Sequence, residues 1–483
     1  MDVLSYYKNE HVRARMIEFL GGKTLDSASC MFLTQCDTDS EAGWDFKFPQ
    51  ELDYFLSQGI DVSRSLWDKK WLISHLDLEY VNFDFLAEPY LDPERSFLLQ
   101  RPAELAIQKV LLGQGISPLH VLSGRGHHFT WSISRDSTAF GKLIQIGRLP
   151  QHLEKKYAEL LAPVNKTIDY DLGSAYSGLA LVMEFVAMLV KDLAQHDSLI
   201  PVELSAVEVP PQSRGREMVS IDITEYGDLL NTRLIRIPFS IYLKPWQKLG
   251  VLPDELRARI PPMVAIPLFE MDISEGISVM RDLNRAALLS TRASVQIPDQ
   301  SIQMLDLIRL YEKSQIAQFH DWYYSEEHHP AQLWPDTYDT MPLEIVPPCV
   351  QYILQFPNDL LLKPAGIRQV VRVMLSLGWH PRHIAGLIRS KFERDYGWGR
   401  EWYFYDAATR ADFYTRVFSG LIKTGRDNLD TFDCRAAKQI HYCFDEQSGC
   451  DLKEFKHSLQ KRISHERLAG RPFNRLFLSD GHF

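Results

Sequence analysis

Residues 71–80 read WLISHLDLEY, and their alternation of apolar and polar side chains predicts a β-strand in the first half of the chain. Side chains on a β-strand alternate between two faces, so His75, Asp77 and Glu79 share one face while leucines occupy the other. Two carboxylates this close repel each other when both are ionised, and a divalent cation would relieve that repulsion because hard cations prefer oxygen ligands. An isolated pair of this kind is more often a solvated strand face, so both interpretations stand at this point.

A glycine-containing turn follows within residues 121–133, which read VLSGRGHHFTWSI. Gly124 and Gly126 allow a tight turn and a close approach of the backbone to a ligand. Arg125 between them offers a guanidinium that pairs well with phosphate. Beyond the turn the residues alternate again, which places His128 on the polar face of a half-buried strand. A single histidine and a short glycine turn are also common in purely structural hairpins.

Two further segments alternate in the same way. Residues 219–224, VSIDIT, place Asp222 on the polar face of a predicted strand. Residues 235–245, IRIPFSIYLKP, predict another strand whose polar face carries two cations and a hydroxyl. These three side chains, which would suit a triphosphate, are Arg236, Ser240 and Lys244. The alternative is a solvated edge strand, to which Pro238 is also suited.

The order of these elements, rather than any one of them, resembles the archaeo-eukaryotic primase superfamily. The D-x-E pair of Asp77 and Glu79 is similar to the first motif of PrimPol-like members. The S-G-x-G-x-H stretch from Ser123 to His128 is similar to the second motif, and the strand carrying Asp222 is similar to the third. Residues 236–244 resemble the phosphate-binding strand of primase small subunits. The resemblance covers about residues 70–250 and implies an RRM-like sheet.

The resemblance implies a role for each of these residues. Asp77, Glu79 and Asp222 are then catalytic carboxylates that hold Mg²⁺ or Mn²⁺ for two-metal nucleotidyl transfer. The implied nucleotide-binding residues are Ser123, Arg125, His128, Arg236, Ser240 and Lys244. The implied activity is that of a DNA primase-polymerase, which makes and extends primers on single-stranded DNA from nucleoside triphosphates.

The chain departs from the family pattern in two places. Tyr242 stands where primase small subunits often have histidine, and no small-subunit zinc knuckle is evident. Because no Walker A motif is present, a helicase partner would be a separate protein. Two other functions stay open: a non-catalytic iron–sulfur protein that binds nucleic acid, and a two-metal nuclease that uses the same carboxylates. The acidic triad argues against the first, and the predicted strand at 236–244 favours a triphosphate over the second.

Four of the six cysteines lie beyond residue 348, at Cys349, Cys434, Cys443 and Cys450. Clustered cysteines in a reducing compartment are either small buried side chains or metal ligands. Four thiolates suit a [4Fe-4S] cluster and equally zinc, although the long first gap is unlike a zinc ribbon. The Pro-Pro-Cys sequence at Cys349, followed by predicted helices, resembles the iron–sulfur domain of primase large subunits and implies a [4Fe-4S] cluster. Cys30 and Cys36 are expected to lie elsewhere.

The 483 residues, 45% of them hydrophobic, are enough for about two to three domains. We predict an α+β fold: an RRM-like primase-polymerase catalytic domain with an N-terminal helical extension at 1–295, a helix and linker at 296–346, and a mostly α iron–sulfur domain at 347–483. The last region carries 21 Lys and Arg against 15 Asp and Glu, whereas the whole chain has a net charge of −10. A basic region is compatible with nucleic-acid binding and equally with a solvated surface.

Apolar spacing predicts helices at residues 49–58, 174–195, 301–319, 367–377 and 384–392, with residues 328–348 as the linker. The apolar run 179–190 is shorter than the roughly 20 residues that span a bilayer and contains Glu184, so we predict a buried helix there. The N-terminus lacks a cationic stretch followed by an apolar one. The expected location is therefore the cytoplasm, without a membrane partner.

Overall fold

The computed structural model describes residues 1–35, 46–149, 170–205, 216–227, 234–247, 253–357, 364–394, 407–427 and 434–439, together with 443, 450, 455, 457 and 461. The fold mixes α and β structure. The chain divides into two compact units: unit 1 contains Met1–Ala206 and Arg214–Leu310, and unit 2 contains Val207–Ser213 and Tyr311–Phe483. The division falls after Leu310, inside the segment 296–346 for which the sequence predicts a helix and linker.

The described strands all belong to unit 1. They are β1 Leu33–Thr34, β2 Ser63–Ser65, β3 Trp71–Asn82, β4 Leu119–Ser123, β5 Gly126–Ser134, β6 Val202–Leu204, β7 Glu217–Asp222, β8 Leu234–Arg236 and β9 Ile266–Pro267. A small antiparallel sheet has the order β1-β2-β8. A larger sheet has the order β6-β7-β3-β5-β4-β9, in which β6 and β7 are parallel and the other pairs antiparallel. The strands predicted at 71–80, 121–133 and 219–224 are thereby confirmed.

The helices of unit 1 precede, connect and follow these strands along the chain. They are α1 Val3–Tyr7, α2 Glu10–Phe19, α3 Leu52–Gln58, α4 Glu88–Leu91, α5 Pro93–Leu112, α6 Thr138–Ile146, α7 Tyr170–Asp197, α8 Lys244–Gln247, α9 Asp254–Arg257, α10 Ile273–Met280, α11 Leu283–Ser290 and α12 Ser301–Glu312, the last of which continues past the division. Short 3₁₀ turns occupy Leu25–Ser27, Pro49–Glu51 and Thr224–Tyr226. By length and composition alone α7 could cross a membrane, but 94% of its most apolar window is buried inside the protein. The prediction of a buried helix around Glu184 is confirmed.

β3 is the central strand of the larger sheet, between β5 and β7. On one of its faces Leu76 and Leu78 are fully buried. Ser74 lies on that same face, and its Oγ is 3.6 Å from Sδ of Met183 on α7. Helix α7 therefore covers this face, and the polar residues of the 71–80 stretch project from the other one.

Unit 2 is helical in its described residues. Its helices are α13 Gln315–Tyr323, α14 Pro348–Gln355, α15 Pro364–Ser376, α16 Pro381–Phe392, α17 Ala407–Lys423 and α18 Cys434–Gln439, with 3₁₀ turns at Ala331–Asp336, Tyr338–Thr340 and Leu343–Ile345. These turns lie within 328–348, the segment predicted as a linker, and bury Trp334 and Tyr338. The single helix predicted at 301–319 is two helices, since Ser314 accepts a hydrogen bond from Ala317 N–H and caps a new start.

The strand predicted at 236–244 is also wrong. β8 ends at Arg236, and Lys244 is the first residue of α8. Between them Phe239 has a φ of 68°, in the left-handed region, and Ser240 N–H donates to Ile237 O at 3.0 Å. The loop is buried and therefore needs apolar side chains, and their alternation in sequence is the same as that of a half-buried strand.

Candidate functional site

The three acidic residues of the predicted motifs meet at the centre of the larger sheet. Asp77 on β3 is directly opposite Asp222 on β7 and opposite His128 on β5. Glu79, two residues further along β3, shares the face of Asp77 and is opposite Gly126 and Ser220. The three carboxylates therefore lie on two adjacent strands of one sheet.

The carboxylate of Asp77 is poorly compensated by its surroundings. Its Oδ1 is buried and has no hydrogen-bond partner in the structure, and Nε2 of His128, across the ladder, is 3.5 Å away. Burial, followed by the negative charges of Glu79 and Asp222, raises the pKa of Asp77 well above its ordinary value. A buried acceptor without a donor costs free energy, and a cation at this point would remove that cost.

His75 adds a nitrogen to the same point. One ligand atom each from His75, Asp77 and His128 lies within 4.8 Å of the others. Burial, followed by the charge of His128, lowers the pKa of His75 well below its ordinary value, so its imidazole is neutral, as a metal ligand must be. Sequence reasoning placed His75 on this face without giving it a role; its position two residues before Asp77 was the available signal.

Asp222 is held by its own turn and by a neighbouring strand end. The backbone N–H of Thr224 donates to its Oδ1 at 2.9 Å, and Ser205 Oγ donates to the same oxygen at 3.4 Å. Both hydrogen bonds restrain the carboxylate of Asp222 through Oδ1. Asp222 thus faces Asp77 from a fixed position.

Glu79 is paired with two cations. Its Oε2 accepts a hydrogen bond from Arg125, and its Oε1 is 3.8 Å from Nζ of Lys244. Burial alone would raise the pKa of Glu79, but Arg125 and then Lys244 outweigh it and lower the pKa to about 2. Glu79 is therefore ionised, and two positive charges border the acidic group.

The glycine turn between β4 and β5 is shaped by two close approaches. A Cβ on Gly126 would be 2.0 Å from the carbonyl oxygen of Leu78 on β3. Gly124 has a φ of +31°, and a Cβ there would be 2.4 Å from the ring of Tyr242. Across the turn Ser123 Oγ and His128 Nε2 are 2.9 Å apart, so the hydroxyl orients the imidazole beside Asp77.

Arg236 and Ser240 do not project onto this face as predicted. The guanidinium of Arg236 is buried, donates to Asp61 Oδ2 at 2.7 Å and to Ile241 O at 3.0 Å, and lies 4.6 Å from the ring of Tyr242. Ser240 is fully buried; its Oγ accepts from Val62 N–H at 2.8 Å. Both residues support the loop between β8 and α8. Of the three predicted residues in this segment, Lys244 reaches the carboxylates.

Two tyrosines that sequence reasoning did not assign also shape the site. The hydroxyl of Tyr226 accepts from His75 N–H at 3.0 Å and donates to His75 O at 2.8 Å, which holds β3 next to Asp77. Tyr242 packs over Gly124 and against Tyr90 in a buried cluster. Neither contact has a signal in the sequence, because each joins residues about 150 positions apart.

The C-terminal cysteines belong to unit 2, and among the described residues Cys349, Cys434, Cys443 and Cys450 form no disulfide. The Sγ of Cys434 donates to the backbone oxygen of Cys450 at 3.1 Å. Burial raises the pKa of Cys349 to about 12, and the thiols of Cys450, Cys434 and Cys443 contribute to that rise, so the four lie close enough to interact electrostatically. Thiols bind a metal ion as thiolates, so a metal at these residues would displace their protons.

Of the other two cysteines, the structure describes Cys30. Cys30 is buried in unit 1, with its Sγ donating to Phe32 O at 3.2 Å. Cys36 lies outside the described residues. The expectation that Cys30 lies elsewhere is therefore confirmed.

Comparison of the chain with protein-family models, with curated proteins and with solved structures finds no match.

Proposed function

We propose that the chain is a cytoplasmic DNA primase-polymerase that joins nucleotides on a single-stranded DNA template. The observation that supports this most is the group formed by Asp77, Asp222 and Glu79, with an unpaired buried oxygen on Asp77 and two cations at its border. Such a group can hold divalent cations and an anionic substrate at the same point. We also propose that the larger sheet is RRM-like.

In this proposal Asp77 and Asp222 hold Mg²⁺ or Mn²⁺, with Glu79 completing the set. The bound ions would lower the pKa of an attacking 3′-hydroxyl and stabilise the leaving pyrophosphate. Lys244 and Arg125 bind the triphosphate, because both carry positive charge beside Glu79. His128, oriented by Ser123, donates a hydrogen bond to a phosphate oxygen.

Unit 2 would bind a [4Fe-4S] cluster through Cys349, Cys434, Cys443 and Cys450. The electrostatic contact among their thiols supports this part of the proposal, and zinc is the alternative occupant. The cluster would tie α14 to α18 and stabilise a domain that binds the template and the first nucleotide.

The deciding experiment is primer synthesis on single-stranded DNA with Mn²⁺ or Mg²⁺, tested separately with ribonucleotides and deoxynucleotides. We expect synthesis by the wild type and a loss of more than about 100-fold in Asp77→Asn and Asp222→Asn, since even an outer-shell partner of a metal ligand contributes 10–100-fold. DNA binding should be retained by both variants. The matched control is Asp136→Asn, at an exposed turn after β5, which should synthesise normally.

Three outcomes would contradict the proposal in different ways. Degradation of the template that depends on Asp77 would assign a two-metal nuclease. Binding of DNA without synthesis in any nucleotide set would assign a non-catalytic protein. Normal synthesis by Asp222→Asn would remove Asp222 from the site.

A further inference from the structure

Unit 1 contains a cavity of about 680 Å³ that none of the roles above uses. It lies between the turn that follows α2, the start of β3, the end of β5 and residues 296–297. Its volume is within the range of about 300–1,000 Å³ that is usual for small-molecule sites.

The floor of this cavity belongs to the same sheet face as the carboxylates. Trp71 and Ile73 line it, and both alternate in phase with Asp77 along β3. Ile73 precedes Asp77 by four residues, or about 13 Å at the rise of a strand. The buried His75 stands between them. The cavity is thus separate from the carboxylates but on the same face.

The lining provides a flat apolar surface and unbalanced positive charge. Trp71 is partly exposed, so its indole ring can accept a stacked ring. The ammonium groups of Lys23 and Lys70 are exposed, and neither forms an ion pair within the described part of the chain. The other charged groups of the lining are already paired: Glu18 with Arg15 at 2.8 Å, and Arg64 with Asp68 at 2.7 Å.

We propose that this cavity binds a nucleoside phosphate, with the base stacked on Trp71 and the phosphate between Lys23 and Lys70. The choice of a nucleoside among aromatic anions rests on the proposed function. The ligand has two possible sources, a free mononucleotide or one unit of the single-stranded DNA. If the ligand is one unit of the single-stranded DNA, the DNA strand runs along the sheet face from the carboxylates to this cavity.

The test measures binding by the full chain in EDTA, so that divalent ions do not load the carboxylate site. The two probes are AMP, by calorimetry, and a fluorescein-labelled oligo(dT), by anisotropy. The variants are Trp71→Leu and the double variant Lys23→Gln/Lys70→Gln, and the control is Lys109→Gln, an exposed lysine on α5. We expect each variant to weaken binding by about tenfold or more, as stacking and phosphate pairing each contribute on this scale, and the control to be unchanged.

Weaker binding of AMP and oligo(dT) identifies a mononucleotide pocket, and weaker binding of oligo(dT) alone identifies a strand contact. Unchanged affinity for both probes in both variants overturns the inference. If Trp71→Leu does not fold, the double variant Lys23→Gln/Lys70→Gln still tests the inference, because both lysines are exposed. Primer synthesis separates the two proposals: synthesis with unchanged binding removes the cavity site only, whereas binding without synthesis removes the polymerase assignment and keeps the anionic pocket.

Discussion

The surroundings of the Asp77 carboxylate disfavour its ionised form. Its pKa is raised by burial and then by Glu79 and Asp222, so this residue stabilises the fold below the ordinary aspartate pKa and loses that contribution as the pH rises. We expect Asp77→Asn to raise the melting temperature of unit 1 at pH 7 without divalent ions, by about 2–4 °C per kcal/mol relieved. The gain should shrink below pH 4, and Mn²⁺ should raise the melting temperature of the wild type alone. Calorimetry would contradict this if the variant were less stable at pH 7.

Glu79 should behave in the opposite way. Burial opposes its ionisation, but Arg125 and Lys244 lower its pKa to about 2, so it contributes stability above the ordinary glutamate pKa that is lost as the pH falls toward 2. Glu79→Gln is therefore expected to lower the melting temperature at pH 7, with a difference that narrows under acid conditions. Equal shifts for Asp77→Asn and Glu79→Gln would show that the two carboxylates share one environment.

Variants of Lys244 and Arg236 are expected to distinguish a role in substrate binding from a role in structural support. Lys244 is partly exposed beside Glu79, whereas Arg236 neutralises the fully buried Asp61. We expect Lys244→Ala to raise KM for nucleotides about tenfold or more with little change in melting temperature. Arg236→Ala should destabilise unit 1 by about 3–5 kcal/mol, because it leaves Asp61 buried and unpaired. A raised KM with unchanged stability in Arg236→Ala would return this residue to the nucleotide site.

At the scale of elements, the β4–β5 hairpin sets the distance between β5 and β3. A Cβ on Gly126 would collide with the carbonyl of Leu78, whereas a Cβ on Gly141 in α6 would meet nothing within 4 Å. Gly126→Ala is expected to disrupt the pairing beside Glu79 and lower both melting temperature and Mn²⁺ binding. Gly141→Ala should instead stabilise by about 0.5–1 kcal/mol, as alanine is favoured over glycine inside a helix. Equal melting temperatures for the two variants would contradict this.

At the scale of the whole molecule, we expect a substitution in one unit to destabilise that unit more than the other. Anaerobically purified protein is expected to be brown, with iron near four per chain if a [4Fe-4S] cluster is present. Cys434→Ser should lose the iron and destabilise unit 2, while primer extension by unit 1 is reduced less than initiation. Cys30→Ala, in the core of unit 1, is the control and should keep the iron. Stoichiometric zinc without iron would replace the cluster by a zinc site.

The local sequence is enough to predict the faces of the strands and the order of the motifs. Alternation along 71–80 placed Asp77 and Glu79 together and opposite the leucines, because side-chain direction in a strand depends only on position. The same local rule located Asp222 and His128 on polar faces. It failed at 236–244, since a buried loop and a half-buried strand present the same apolar alternation.

Which of these faces meet, and which charged side chains remain available to a ligand, depends on tertiary contacts. Asp222 lies opposite Asp77, and Asp61 removes Arg236 from the substrate face, through contacts between residues 145 and 175 positions apart. The 328–348 segment folds because Trp334 and Tyr338 find a core that its prolines and polar residues do not reveal. Strand pairing and burial depend on contacts between distant segments, and such contacts leave no periodic trace in the local sequence.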